Sequence, residues 1–343
     1  MKKPILVIKF GSASITNTVG DIDERIVLEI ARQVAQLQQR FNIVIVSSGA
    51  VAAGKKFLPN YGGTLAERKA AAAIGNPLLL GTYSTYFKPF KIALAQSLCE
   101  RQHFANRHQF LQLKQTYEEL WKNNIIPVAN ENDVVSNKEL KFSDNDELAT
   151  LIAVGFGAET ILFTTSVPGV LDANNQVIPR IEVIDKAALS LARTDKSSVG
   201  LGGMTSKLNF ARLANLLGIQ AVIYSMETEN AILKAVQAQT GTLCVRQVKK
   251  VSSRNKWLAS GSLIRGEVQI DRGAEQALLD RNSLLAVGIE AIITDFESGE
   301  VFHILGPDKH ILAVAKAKVD SRSLKGMNLK NIEVAHADDI VLL

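Results

Sequence analysis

Short apolar runs rich in β-branched residues alternate, over the first 247 residues, with stretches whose apolar positions recur every three or four residues. ILVIKF (5–10), NIVIVSS (42–48), ALAQSLC (93–99), IIPVAN (125–130), ETILFTT (159–165) and QAVIYS (220–225) have the length and composition of strands. Between them, residues 23–39 place Ile26, Ile30, Val34 and Leu37 at helical spacing. Residues 109–124, 147–158 and 202–218 also read as helices, the last two closed by glycine. Strands that are apolar throughout are buried on both faces. Their alternation with helices predicts an α/β fold, a mainly parallel open sheet sandwiched by helices.

Beyond GTLCVRQ (241–247) the pattern changes. VKKVSSRNK (248–256) reads as a polar linker, and short apolar runs separated by Gly, Asp and Asn follow it. This predicts a small β-rich domain with one helix near Ala274 to Leu279. The chain therefore divides into 1–247 and 248–343, with the linker in the second part.

The 343 residues, 47% of them hydrophobic, suffice for two cores. Cys99 and Cys244 belong to no motif, which argues against a disulfide framework or a zinc site. No apolar stretch has the length needed to span a bilayer. In MKKPILVIKFGSAS the apolar part, Ile5 to Ile8, is too short for a secretion signal and runs into Lys9. A cytoplasmic enzyme is the expectation. The net charge of +5 lies entirely in residues 1–247, because residues 248–343 balance 13 basic against 13 acidic side chains. A mildly basic large domain suits a small anionic substrate. It does not suggest the concentrated basic face that nucleic acid requires.

Three glycine-rich turns stand where chemistry can be done. Lys9 and Gly11 close the first strand, and ligands of open parallel sheets bind outside the carboxyl ends of strands. There a glycine lets backbone N–H groups approach a phosphate and a lysine adds a point charge. An ordinary strand-end turn with a snorkelling lysine has the same local sequence. VSSGAVAAG (46–54) repeats the arrangement, although close helix–strand packing also selects Gly and Ala. In VGLGGMTSKL (199–208), three glycines precede Thr205, Ser206 and Lys207 at a helix start. The P-loop spacing is absent, and a plain glycine hinge fits the same residues. Together, two lysines and three such turns predict a polyphosphate ligand.

The acidic and amide clusters NEND (130–133) and DND (144–146) fit two tasks beside it. One is to hold a substrate's ammonium group, and the other is to fix the lysines by carboxylate pairing. Ser143 and Asp146 have the spacing of a capping box, which would leave helix N–H groups for a substrate carboxylate. A metal cage made of these acids alone is not expected, since Mg²⁺ rests mostly on phosphates and water.

KFGSASIT, VIVSSGAVAAGKKFL, AAAAIGN, NNIIPVANENDVV, FSDNDELATLIA, GVL and GGMTSKLNFARLANLLGI resemble, in this order, the motifs of the glutamate 5-kinase family, within the amino acid kinase superfamily. The resemblance covers nearly all of residues 3–247. GEVQIDRGAEQALLDRNSLLAVGI resembles, more loosely, the PUA domain that many of these enzymes carry. The resemblance implies an amino acid kinase fold plus a PUA-like domain, with ATP and Mg²⁺ used to phosphorylate the γ-carboxylate of L-glutamate, the first step of proline biosynthesis. It implies Lys9 and Lys207 as the lysines on the transferred phosphoryl group, Asp146 as their orienter, and Ser48, Asp133 and Asn145 as glutamate contacts. Gly11, Gly49 and Ala50 would line the phosphate path. Thr165, Ser166, Gly202, Gly203, Met204, Thr205 and Ser206 would serve the nucleotide. Feedback inhibition by proline and a homo-oligomer, dimer or tetramer, are also implied.

Three positions depart from the family pattern. Thr165-Ser166 stands for a usual Thr-Asp, Leu201 for a threonine, and Asn76 for a glutamine. Two other readings stay open. One is a superfamily member acting on acetylglutamate, aspartate, carbamate or UMP. The other is an RNA-binding or regulatory role of the C-terminal domain, disfavoured by that domain's zero net charge.

Overall fold

Residues 3–17, 20–135, 144–191, 203–247, 264–324 and 332–342 are described by a computed structural model of the chain. Its contacts divide it into Met1–Arg101 with His108–Lys249, and Lys250–Leu343 with Gln102–Arg107. Ser143, Leu201, Gly202 and the linker 248–256 lie outside the described residues. No helix among those described is long and apolar enough to cross a membrane.

In chain order the first unit contains β1 (Ile5–Phe10), α1 (Ser12–Ile15), α2 (Glu24–Leu37), β2 (Asn42–Ser47), α3 (Ala50–Lys55) and α4 (Leu65–Phe87). Then come β3 (Leu94–Cys99), α5 (Arg101–Ala105), whose residues from Gln102 onward belong to the second unit, α6 (Arg107–Lys122), β4 (Ile126–Glu131), α7 (Asn145–Phe156) and β5 (Thr160–Thr165). β6 (Arg180–Ile181), α8 (Lys186–Leu191), α9 (Met204–Leu216), β7 (Gln220–Ser225), α10 (Ala231–Val236) and β8 (Thr242–Cys244) complete it. The sheet order is β3-β4-β2-β1-β5-β7-β8-β6. Every pair is parallel except β7 with β8.

β1 lies at the centre and is buried along its whole length. Side chains alternate across a sheet. Leu6, Ile8 and Phe10 accordingly join one core with Val27, Ile30 and Val34 of α2. Lys9 shares the opposite face with Ile5 and Val7. α7 packs against β1, β5, β2 and β4, and all but two of its twelve residues are buried. A helix apolar on all sides belongs in such a place. Because β1, β2, β4 and β5 run the same way, Lys9, Ser48, Asn130 and Thr165 come to one edge of the sheet.

α4 has no counterpart among the elements that periodicity predicts. It opens on a capping box, the Thr64 hydroxyl accepting from Glu67 N–H while the Glu67 carboxylate accepts from Thr64 N–H. It crosses α3 with the backbones in contact. A Cβ on Gly75 would stand 1.7 Å from Ala50 O, and one on Gly54 1.9 Å from Ala71 O. Small residues, not an apolar stripe, mark this contact, so the helix carries little periodic signal.

In the second unit, β9 (Ile264–Ile270), α11 (Arg272–Leu279), β10 (Leu284–Leu285) and β11 (Ile289–Thr294) are followed by β12 (Val301–Leu305), β13 (Ile311–Lys316), β14 (Glu333–Ala335) and β15 (Ile340–Leu342). Five strands form a sheet in the order β11-β9-β12-β13-β15, and β10 pairs with β14. Its core holds Val268, Ile270, Leu278, Phe302 and Ile304. The rings of Phe296 and Phe302 stack at 4.4 Å.

Candidate active site

Three buried charges meet at the carboxyl edge of the central strands. Lys9 Nζ lies 2.7 Å from Asp146 Oδ1, and Lys207 Nζ lies 3.0 Å from Asp146 Oδ2. One carboxylate thus joins the end of β1 to the first turns of α7 and α9. Lys9, Asp146 and Lys207 are 4%, 0% and 5% exposed. Burial, reinforced by the Lys9 charge, lowers the Lys207 ammonium below the usual lysine value, against the pull of Asp146. Two buried cations at this spacing are tolerated because a fully desolvated anion stands between them.

Asp144 supplies a fourth charge. It is the N-cap of α7 and accepts from the N–H groups of Asp146 (2.9 Å) and Glu147 (3.1 Å). Its other oxygen accepts from the Ser206 hydroxyl in the first turn of α9. Burial, then the neighbouring Asp146 charge, raises its carboxyl above the usual aspartate range. Two expectations are corrected here. The cap is Asp144, not a Ser143–Asp146 box, because an aspartate directly before the helix reaches two N–H groups at once. Those two N–H groups are therefore engaged within the chain and are not offered to a substrate carboxylate. Beside them, Glu147 pairs with Arg101.

The Gly11 turn also differs from expectation in one respect. Its own N–H donates to Thr164 Oγ1 at 3.0 Å, so it is not a phosphate donor. A Cβ there would make only an ordinary contact, 3.6 Å from Lys9 Nζ. Gly49 has φ 106° and caps α3, with Ala50 as the first helical residue. A Cβ on Gly49 would approach Ile15 Cδ1 to 3.0 Å, so both backbone and space require glycine.

On the other side of the edge, amide side chains form a ladder. Asn145 Nδ2 donates to Ser48 Oγ at 2.8 Å and to Asn130 Oδ1 at 2.9 Å. Asn130 Nδ2 donates to Asn76 Oδ1 at 2.9 Å. Asp133 is half-buried in the turn just after β4. Thr165 ends β5, and Ser166 is exposed in the bend that follows. Gly203 caps α9 without a side-chain hydrogen bond, and Met204, Thr205 and Ser206 form its first turn. Gly202 lies outside the described residues. Sequence reasoning placed Asn130 and Asp144 in clusters with shared tasks but gave neither a role of its own, and it singled out neither Thr164 nor the Arg101–Glu147 pair. A threonine at the end of a buried strand beside Lys9 was the one available signal for Thr164.

A parallel sheet with paired lysines, glycine turns and a helix N-terminus at its carboxyl edge defines an α/β protein built to hold a polyanion. The model of the amino acid kinase family matches residues 4–225, and that of the PUA domain matches residues 266–337. The chain belongs to the amino acid kinase family. A glutamate 5-kinase of Vibrio vulnificus is 32% identical to it, over 98% of this chain and 96% of that protein. A glutamate 5-kinase of Kosmotoga olearia is 34% identical over 98% and 91%, and glutamate 5-kinase 1 of Bacillus licheniformis 34% over 99% of each. Among solved structures, carbamate kinase from Giardia lamblia bound to AMP-PNP superposes with a TM-score of 0.51 at 15% identity, over 71% of this chain and 99% of that one. A second structure of Giardia carbamate kinase gives 0.52 at 16%, over 72% and 100%. At such identities the likeness establishes the fold.

Proposed function

We infer that the protein transfers the γ-phosphoryl group of ATP to the γ-carboxylate of L-glutamate, giving ADP and L-glutamyl 5-phosphate. The observation that carries this reading is the convergence of Lys9 and Lys207 on Asp146 at the sheet's carboxyl edge. The near full-length likeness to glutamate 5-kinases supports the choice of acceptor. We assign the reaction to residues 1–247 and an accessory role to residues 248–343.

A γ-carboxylate oxygen attacks the γ-phosphorus, forming one O–P bond. The bond to the β,γ-bridging oxygen breaks, and its electrons leave with ADP. The acceptor is already ionised at neutral pH, so no general base is needed, and catalysis consists of positioning and charge stabilisation. Lys9 and Lys207 bear on the charge spread over the transferred oxygens. Asp146 sets their separation. Gly49 and Ala50 line the phosphate path with nothing larger than a methyl group, while Gly203 and the first turn of α9 face the nucleotide. Ser48, Asn145 and Asp133 hold glutamate. Mg²⁺, when bound, shields the nucleotide phosphates. The described residues contain no group of three metal-ligating side chains, and Asp144 and Asp146 already have partners, so the ion fits this site as a passenger on the phosphates. Proline as a competitor for the glutamate pocket, a dimer or tetramer, and a cytoplasmic setting accompany this reading.

A coupled ADP-release assay with L-glutamate, N-acetyl-L-glutamate, aspartate, carbamate and UMP tests it. Glutamate should give the highest kcat/KM, and a preference for any other acceptor would overturn the assignment.

A further inference from the structure

The amide ladder has a direction, and a single backbone group sets it. Asn130 Oδ1 accepts from Glu131 N–H at 2.9 Å. A backbone N–H can only donate, so it favours this orientation of the Asn130 carboxamide. Its nitrogen then faces Asn76, which must present an oxygen. Its oxygen faces Asn145, which must present its nitrogen to both Asn130 and Ser48. One atom remains at the far end. Asn145 Oδ1 is buried and has no partner. At the near end Asn76 Nδ2 is likewise buried without a partner, on a residue only 5% exposed.

An unpaired acceptor of this kind is costly to keep and demands a donor. We propose that Asn76, acting through Asn130, locks the Asn145 carboxamide with its oxygen toward the substrate, so that the site selects an amino acid with a free α-ammonium. Without the oxygen of Asn76, the buried Asn130 N–H is left unsatisfied, which weakens the preference that the Glu131 N–H sets. The arrangement with both amides turned over then gains population, and in it Asn145 offers an N–H to the ammonium. Asn76 is thus a positioning residue on α4, whose own contact with the substrate is not required. This inference rests on the proposed glutamate kinase activity.

The test compares the full-length wild type with Asn76→Leu and Asn76→Asp. The leucine variant keeps the branched shape and removes the acceptor; the aspartate variant keeps the acceptor and removes the unpaired N–H. Asn76→Leu should raise KM for L-glutamate roughly 10- to 100-fold, the loss of one charge-assisted hydrogen bond. It should leave KM for ATP unchanged and narrow the preference for L-glutamate over N-acetyl-L-glutamate. Asn76→Asp should restore both quantities. Thermal melts report folding separately, and Asn76→Ala replaces the leucine variant if that one does not fold. A lowered Tm with unchanged KM and preference would make Asn76 merely structural and overturn the inference. So would a folded Asn76→Asp variant that fails to restore KM. A wild type that releases no ADP with glutamate would instead overturn the functional reading.

Discussion

Replacing Gly75 by alanine sets two effects of opposite sign against each other. In the interior of a helix, Gly→Ala ordinarily stabilises by about 0.5–1 kcal/mol. At Gly75, however, the new Cβ would fall 1.7 Å from the carbonyl oxygen of Ala50. Restoring an ordinary ~3.5 Å contact requires α3 and α4 to part by about 1.8 Å. The obstacle is backbone on both sides, with no flexible side chain to swing away. Overpacking of this kind costs about 1–3 kcal/mol, so destabilisation wins, and Tm should fall by roughly 2–10 °C. The kinetic effect should be larger. α3 begins at Ala50, directly after the Gly49 turn, and a displacement near 1 Å at a reacting centre can cost about 100-fold in rate. Gly81 on the same helix provides the control, since a Cβ there meets nothing within 4 Å. Gly81→Ala should raise Tm slightly and leave kcat unchanged. Thermal melts and steady-state ADP release on both variants decide the matter. A Gly75→Ala protein as stable and active as Gly81→Ala would refute the contact argument.

Three further predictions concern the site itself. Lys9→Ala should lower kcat by 100-fold or more on the scale of lost charge stabilisation, with a smaller change in KM for glutamate; an intact kcat would exclude Lys9 from the chemical step. Asp133→Ala should raise KM for glutamate by roughly tenfold or more, and an unchanged KM would remove Asp133 from the substrate site. Because the Lys207 ammonium is lowered in the free protein, mainly by burial, it loses its charge at a lower pH than an ordinary lysine. The profile of kcat/KM for ATP should therefore decline on its alkaline side before the usual lysine value of 10.5 is reached. In kcat the decline should move to higher pH, since bound phosphates favour the charged form. A kcat/KM profile flat up to the ordinary lysine range would contradict this.

The central strands were legible because strands buried on both faces are unbroken apolar runs, as in β1, β2 and β5. β6 and β8 span two and three residues, too short to show a period. α4 was hidden for a physical reason: its contact with α3 is made by Gly54 and Gly75, residue types that elsewhere mark turns. The lysines stood out through their glycine-rich settings at strand and helix ends. Asn76 and Asn130 are 54 residues apart, and no local pattern announces a hydrogen bond across that distance. The sharing of Asp144 between two N–H groups and Ser206 is likewise a product of tertiary packing. Spacing alone suggested Ser143 as the cap, whereas geometry selected its neighbour.

Lys9, Asp146 and Lys207 come from the beginning, middle and end of the catalytic region, and a single side chain ties them together. During synthesis, a ribosome-bound chain that has not yet extruded residue 207 can lay down β1 beside α7, yet it holds only half of the cationic pair. Contacts between such remote segments form late because a long loop must close first. Emergence of activity should therefore lag behind emergence of compactness, and truncated fragments ending before α9 should be folded in part but inert.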